Sequence, residues 1–197
     1  MTPGGARGPL LVVIDMQRLF RDPESPWATP GFDELAGPIT RLADAFGDRT
    51  VFTRFLVPER FEGSWVPYYE RWSEVTRPER REWGELADPY AARRPRTLDR
   101  PTFGKWGPEL DRLAGPDRTL VLCGVATDCC VIATALPAAD AGAFVRVVGD
   151  ACRGATARAH ERALAIMEGF APQIVVTSVE EELDRLGSRA PRRSATP

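Results

Sequence analysis

The chain has 197 residues, of which 43% are hydrophobic and 27% charged, as expected for a single globular domain with a sizeable core. Its formal net charge of −2 gives no electrostatic reason to expect nucleic acid or an acidic membrane surface as a partner. No apolar run reaches the roughly 18 residues of a membrane helix, and the first residues lack the pattern of a secretory signal. We therefore expect a cytoplasmic protein with one domain, 1–187, and a flexible tail, 188–197.

Short apolar strands and amphipathic helices alternate along the chain. Strands are predicted over 9–15, 50–56, 96–99, 118–125, 143–151 and 173–178. Helices are predicted over 33–47, 128–141, 156–171 and 179–186, and a long excursion with helical pieces over 57–96. This order predicts a three-layer αβα fold with a doubly wound, mostly parallel sheet of about six strands. Ligands bind such sheets at the carboxyl ends of the strands.

Three chemically distinct side chains follow predicted strands. Asp15 ends the first strand, Lys105 follows the third, and Cys129 and Cys130 follow the strand over 118–125. We expect an acid, an ammonium and a thiol to meet in one crevice. These are the side chains that a cysteine hydrolase uses. In such an enzyme the sulfur attacks, the carboxylate moves the proton, and backbone amides hold the oxyanion.

The adjacent cysteines raise the question of which one is the nucleophile. The four cysteines of the chain fit neither a disulfide ladder nor a zinc-ligand spacing, so we expect free thiols. On a helical wheel Cys129 shares an apolar row with Ile132 and Leu136, whereas Cys130 shares its row with Thr134. The wheel favours Cys129 as a packing residue and Cys130 as the thiol aimed at the crevice. An uncertain helix start keeps the reverse assignment open.

The segments "VVIDMQRLF" and "GVATDCCVIATALPAADAG" resemble the isochorismatase-like cysteine hydrolases, which include nicotinamidases and N-carbamoylsarcosine amidase. The resemblance covers nearly the whole chain and implies a Cys–Asp–Lys triad that hydrolyses C–N bonds. The family's cysteine follows T-D-x and falls on Cys130, and its acid falls on Asp15. The resemblance also implies a non-proline cis peptide bond between Val125 and Ala126, and an oxyanion hole formed by the amides of Ala126 and Cys130.

The position of the triad lysine is less clear. Aligning "RPTFGKWG" with the family's K-x-x-[YF]-S-A-F motif puts Arg100 where the lysine is usual, and Lys105 follows five residues later. Of the 26 lysines and arginines, Lys105 is the only lysine, which favours it for the triad. Arg100 remains an alternative for this position, although an arginine could act only as a fixed cation.

Seven residues near the predicted strand ends are candidates for the substrate pocket: Gln17, Phe20, Arg54, Trp65, Tyr69, Trp106 and Val125. The aromatic residues of the excursion, Trp65, Tyr68, Tyr69 and Trp72, are expected either to roof this pocket or to form a contact between subunits. Relatives are usually homodimers or homotetramers, and we expect the same here.

We expect no metal and no cofactor. The nicotinamidases bind a metal through an aspartate and two histidines, whereas this chain has one histidine, His160, within an amphipathic pattern. We therefore interpret His160 as a helix-surface residue.

Three functions remain open at the level of sequence. The first is a hydrolase that cleaves an amide, carbamoyl or lactam bond of a small molecule through a Cys130 acyl-enzyme. The second is an isochorismatase-type vinyl ether hydrolase that uses Asp15 without the thiol. The third is a non-catalytic or redox-sensing protein that uses the adjacent thiols. The sequence does not choose the substrate.

Overall fold

The computed structural model describes residues 8–189. Within this range the strands are β1 (Leu10–Ile14), β2 (Thr50–Phe55), β3 (Thr97–Arg100), β4 (Thr119–Val125), β5 (Phe144–Arg153) and β6 (Ile174–Thr177). The α-helices are α1 (Arg18–Arg21), α2 (Ala36–Phe46), α3 (Trp65–Arg71), α4 (Pro108–Ala114), α5 (Ile132–Asp140), α6 (Ala157–Glu168) and α7 (Val179–Arg189). Short 3₁₀ segments connect several of these elements.

The six strands form one sheet in the order β3-β2-β1-β4-β5-β6, and every neighbouring pair is parallel. Strand β1 lies in the middle of the sheet. The chain adds β2 and β3 on one side of β1 and then crosses over to add β4, β5 and β6 on the other side. Helix α2 packs against α7, and α5 packs against α6. The predicted three-layer, doubly wound fold is confirmed, and its strand order reverses between β1 and β4, where such folds bind ligands.

The two central strands are buried along nearly their whole length. All five residues of β1 are buried, and so are six of the seven residues of β4. Continuous apolar runs of this kind are typical of parallel strands covered on both faces. The core therefore lies on both sides of β1 and β4 and holds their carboxyl ends rigidly.

The excursion between β2 and β3 folds over the carboxyl end of the sheet. It contains α3 and short 3₁₀ segments, as the sequence predicted, and it buries Tyr69 and Trp83. A single antiparallel bridge joins Gln17 to Leu86, so the excursion is tied to the turn that follows β1.

The C-terminal helix α7 ends at Arg189. The predicted tail, 188–197, therefore begins in the last two residues of this helix, and 190–197 lie outside the described residues. Residues 1–7 of the predicted domain lie outside them as well. None of the helices within 8–189 combines the length and apolar character needed to cross a membrane.

Candidate active site

Asp15 lies in the turn after β1, with its backbone in the left-handed region at a φ of 48°. Aspartate tolerates this region better than most residues. Thr53 on β2 fixes it twice, since its hydroxyl accepts the Asp15 N–H at 3.1 Å and donates to Oδ1 at 2.6 Å. Both residues are fully buried. The second carboxylate oxygen, Oδ2, is thereby left to face another partner.

That partner is Lys105. Its Nζ lies 2.8 Å from Asp15 Oδ2, donates to the Thr102 carbonyl at 2.9 Å, and lies 5.1 Å from the centre of the Phe55 ring. Neither side chain of the ion pair has any exposed surface. A buried charge of either sign is costly without its partner, so each side chain depends on the other.

The loop that carries Lys105 packs directly on α5. A Cβ at Gly104 would overlap the carbonyl oxygen of Ala133, so the approach requires glycine at this position. Arg100, the alternative cation, lies instead at the end of β3, where it reaches Glu109 at 3.5 Å. Of the two candidate cations, the structure therefore brings Lys105 to Asp15.

Cys130 lies in a π-helical turn, Thr127–Val131, that leads from β4 into α5. The turn follows a cis peptide bond between Val125 and Ala126. The buried hydroxyl of Thr134 donates to the Cys130 carbonyl at 2.7 Å and accepts the Lys105 N–H at 2.9 Å. One threonine thus ties the backbone of the cysteine turn to the backbone of the lysine loop.

The central strands meet closely beneath this turn. Gly124 of β4 has a φ of 109°, and a Cβ there would overlap the backbone of Ile14. Because Ile14 immediately precedes Asp15, glycine at 124 allows the acid-bearing turn and the cysteine-bearing turn to begin side by side.

The two adjacent thiols affect each other's pKa. The hydrogen bond that Cys130 donates to Cys129 raises the pKa of Cys130; burial and the charge of Asp15 raise it further, and Lys105 opposes them. The same hydrogen bond lowers the pKa of Cys129, the more exposed of the two. The raised pKa keeps Cys130 a neutral thiol near pH 7.

The wheel argument for the cysteines is wrong in one respect. The buried row of α5 contains Thr134, Ala135 and Ala138, whereas the row predicted to pack beneath Cys129 is only half-buried. A π-turn widens the helix, so a 3.6-residue wheel does not carry from Cys129 into α5. Cys129 packs against the core together with this row, but it also lines the same cavity as Cys130, so the crevice is not reserved for one thiol.

This cavity, of about 290 Å³, opens at the carboxyl ends of β1 and β4. Its wall includes the backbone turn at Ala126, both thiols and the carboxylate of Asp128. Six aromatic side chains form much of the remainder: Phe20, Trp27, Phe55, Tyr68, Trp72 and Phe103. Of the seven residues predicted for the pocket, only Phe20 lines it.

Two of the other predicted pocket residues are structural. The Gln17 amide accepts the Phe55 N–H at 2.7 Å and donates to the Phe55 carbonyl at 3.0 Å, which fixes the turn after β1. Arg54 forms a two-point ion pair with Asp99 and a third bond with Glu85. Its guanidinium is therefore occupied outside the cavity.

The remaining four predicted pocket residues also lie outside the cavity. Tyr69 and Val125 are buried in the core. Trp65 stacks on Tyr69 with ring centres 5.8 Å apart, and Trp106 is half-buried near Lys105. Instead, Tyr68 on α3 and Trp72, which directly follows α3, line the cavity beside the thiols.

Sequence reasoning missed two features of the candidate site. Trp27, in the connection from β1 to α2 and after α1, lines the cavity and packs against Phe55 with ring centres 5.6 Å apart. Its position after a central strand was the available signal, because such loops border the crevice. His160 is half-buried rather than on the surface, and its Nδ1 lies 2.8 Å from the Thr127 hydroxyl. Burial and the nearby Arg153 lower the pKa of His160, so a neutral imidazole supports the cysteine turn.

The residues present do not fit a metal of the kind that nicotinamidases bind. Between residues 8 and 189 no group of three or more histidine, cysteine, aspartate or glutamate side chains is arranged to hold one. No catalytic step is therefore assigned to a metal here.

The chain is an α/β protein whose doubly wound parallel sheet brings a thiol, a carboxylate and an ammonium to its switch point. The chain belongs to the isochorismatase family, because the model of the isochorismatase domain matches residues 9–181.

Solved structures share the fold at low sequence identity. A cysteine hydrolase from Pseudomonas syringae pv. phaseolicola superposes with a TM-score of 0.77 at 18% identity, covering 95% of this chain and 99% of the other. A nicotinamidase from Bacillus subtilis gives 0.69 at 19% identity, covering 87% and 100%. A pyrazinamidase from Pyrococcus horikoshii, in complex with zinc, gives 0.64 at 23% identity, covering 87% and 99%. No curated protein sequence matches the chain.

Proposed function

We propose that the protein hydrolyses a C–N bond of a small amide, carbamoyl compound or lactam through an acyl-enzyme on Cys130. In this proposal Asp15 is the general acid and base, and Lys105 is its cationic partner. The observation that carries the proposal is the fully buried Asp15–Lys105 pair, whose two charges act in opposite directions on the thiol of Cys130. A buried ion pair is costly to the fold, and ionisable groups of this kind, beside a thiol at a cavity, are concentrated at functional sites.

The first half of the reaction forms the acyl-enzyme. The Asp15 carboxylate takes the thiol proton of Cys130 as the sulfur attacks the substrate carbonyl carbon. The carbonyl π electrons move to oxygen, where the N–H groups of Ala126 and Cys130 hold the oxyanion. The C–N bond then breaks, Asp15 returns the proton to the departing nitrogen, and a thioester remains on Cys130.

The second half releases the acid. Water attacks the thioester carbonyl while Asp15 takes the water's proton. The C–S bond breaks, and the proton passes from Asp15 to the Cys130 sulfur, which restores the resting thiol. Throughout, Lys105 offsets the negative charge that develops on the sulfur and the oxyanion. The neutral resting state of Cys130 supports this role for Asp15, because a thiol in that state requires a base.

The two other functions use less of the site. Vinyl ether hydrolysis through Asp15 alone leaves the buried Cys130 without a role. A redox function of the adjacent thiols leaves the Asp15–Lys105 pair without one. Neither has an observation in its favour that the acyl-enzyme proposal lacks.

The test combines activity with trapping of the intermediate. A panel of primary amides, N-carbamoyl compounds and lactams is screened, with ammonia or ring opening as the readout. For an active substrate, acid-quenched protein is analysed by mass spectrometry for a hydroxylamine-sensitive acyl adduct. We expect Cys130→Ala to lose activity and the adduct, and the matched Cys129→Ala variant to retain both.

The Cys129→Ala variant also assigns the adduct, because Cys123, Cys129 and Cys130 lie within one tryptic peptide, 119–146. Simple alkylation would mislead, since Cys129 has the lower pKa and the greater exposure. Full activity in Cys130→Ala would contradict the acyl-enzyme and show that the thiol is dispensable, as the vinyl ether alternative requires. An acyl adduct on Cys129 would overturn the assignment of the nucleophile.

A further inference from the structure

The described wall of the cavity carries little formal charge, and that charge is negative. Among the described residues that line it, Asp128 is the only one with a formally charged side chain, and no lysine or arginine is present. One oxygen of Asp128 accepts the Ala155 N–H at 2.9 Å, which fixes the carboxylate at the wall. Nothing on the described wall neutralises a bound anion.

The cations nearby are committed elsewhere. Lys105 is paired with Asp15 and has no exposed surface. Arg153, beyond the cavity wall, reaches Glu34 at 3.0 Å. A carboxylate that entered the cavity would lose its hydration without gaining a charged partner, which costs binding free energy.

The aromatic wall has the opposite effect on a cation. Trp27 lies at the centre of a cluster, with ring centres 5.6 Å from Phe55, 5.8 Å from Tyr68 and 6.3 Å from both Phe20 and Trp72. Aromatic faces carry negative electrostatic potential and attract cations, and tryptophan does so most strongly. Burial raises the pKa of Tyr68, so its hydroxyl stays neutral.

We propose that this cavity selects amides in which the group attached to the scissile carbonyl is aromatic or apolar and is either cationic or uncharged. We propose also that it rejects amides that carry a carboxylate on this group. The inference rests on the proposed C–N hydrolysis and names its substrate class. A volume of about 290 Å³ is near the lower end for small-molecule sites, so the selected group is about the size of one substituted ring. The cation would lie against Trp27, Trp72 and Asp128, with the scissile carbonyl at Cys130.

A matched series of ring amides tests the proposal. The series is benzamide, its 3- and 4-trimethylammonio derivatives, and its 3- and 4-carboxylates, which differ mainly in charge. Binding is measured by calorimetry on Cys130→Ala, whose fold is checked by circular dichroism, and kcat/KM is measured by ammonia release from the unmodified enzyme. We expect the better cationic isomer to exceed benzamide by roughly 3- to 10-fold, and both carboxylates to fall about tenfold or more below it.

The two readouts separate failure of the substrate class from failure of the reaction. Binding in the order cation, neutral, anion without any hydrolysis supports the pocket inference and contradicts the proposed function. Hydrolysis in which a carboxylate is the best substrate supports the function and overturns the pocket inference. Absence of binding by every member at millimolar concentration overturns the pocket inference as well.

Asp128→Asn supplies the internal control, because asparagine can still accept the Ala155 N–H while the charge is removed. The ratio of cationic to neutral affinity should fall in this variant. Glu109→Gln removes an equal charge from the surface outside the cavity and should leave the ratio unchanged. Equal ratios in Asp128→Asn and the unsubstituted chain would show that the charge of Asp128 does not contribute to recognition of the cation.

Discussion

Replacing Lys105 by methionine tests the central feature of the site. Methionine keeps an unbranched side chain of similar length but removes the ammonium, so the fully buried Asp15 carboxylate loses its counter-charge. The substitution also removes the hydrogen bond from Nζ to the Thr102 carbonyl. The resulting cost is a measurable property of the fold that does not depend on any substrate.

The expected magnitude follows from those two contacts. Leaving one member of a buried ion pair unpaired costs about 3–5 kcal/mol. The lost hydrogen bond to the Thr102 carbonyl by itself accounts for about 1.5–3 kcal/mol of such a cost. At roughly 2–4 °C per kcal/mol for a domain of this size, Lys105→Met should lower the melting temperature by about 6–20 °C.

Urea-induced unfolding, followed by tryptophan fluorescence and circular dichroism, measures the change in the free energy of unfolding. The matched control is the double variant Asp15→Asn/Lys105→Met, which removes both charges. It should recover to within about 1–2 kcal/mol of the unsubstituted chain, because a neutral pair needs no buried counter-charge. If Lys105→Met costs less than about 1 kcal/mol, or if the double variant is no more stable than the single one, the description of a mutually dependent buried pair is wrong.

Three further predictions concern the elements that hold the site together. Thr134→Val should lower kcat by about tenfold or more with little change in KM, because both of its hydrogen bonds are lost, and Thr134→Ser should restore most of kcat. Cys129→Ala should lower the pKa of Cys130, since the hydrogen bond that helps to raise it is removed. Alkylation of Cys130, measured by mass spectrometry against pH, should therefore reach its midpoint at lower pH. Gly104→Ala should cost about 1–3 kcal/mol of unfolding free energy, whereas Gly37→Ala, with nothing within 4 Å of the added methyl group, should not destabilise the helix.

Each of these predictions has a contrary result. Equal kcat losses in the valine and serine variants at position 134 would show that the hydroxyl is not the relevant group. An unchanged midpoint in the cysteine variant would mean that Cys129 does not affect the pKa of Cys130. A Gly104→Ala variant as stable as Gly37→Ala would mean that the lysine loop does not pack tightly on α5.

The layout of the fold was predictable because burial on both faces leaves a simple pattern. Strands β1 and β4 are continuous apolar runs, and their bounds differ from the predicted ones by about one residue. The sequence also pointed to Asp15, Lys105 and Cys130 as neighbours, since parallel strands bring their carboxyl ends to one edge. That reasoning needs only the order of elements, not their detailed packing.

The wall of the cavity was not predictable in the same way. Within and directly after α3, the pairs Trp65/Tyr69 and Tyr68/Trp72 both have four-residue spacing, and only tertiary packing decides which pair lines the cavity. The sequence placed Thr134 on a polar edge of α5, yet its side chain is fully buried. Its hydroxyl tolerates burial because it forms hydrogen bonds with two backbone groups. The sequence pattern gives no sign of a π-helical turn. A helical wheel with 3.6 residues per turn therefore could not show that both cysteines line the cavity.

The sole lysine of this chain has no exposed surface, and its other basic side chains, histidine aside, are arginines. Reagents that acylate lysine side chains should therefore leave position 105 untouched in the intact protein. Acylation there would occur only in molecules whose lysine loop has opened, so its rate would report how often that opening takes place. A time course of amine labelling at Lys105, followed by mass spectrometry, therefore measures how often the lysine loop opens.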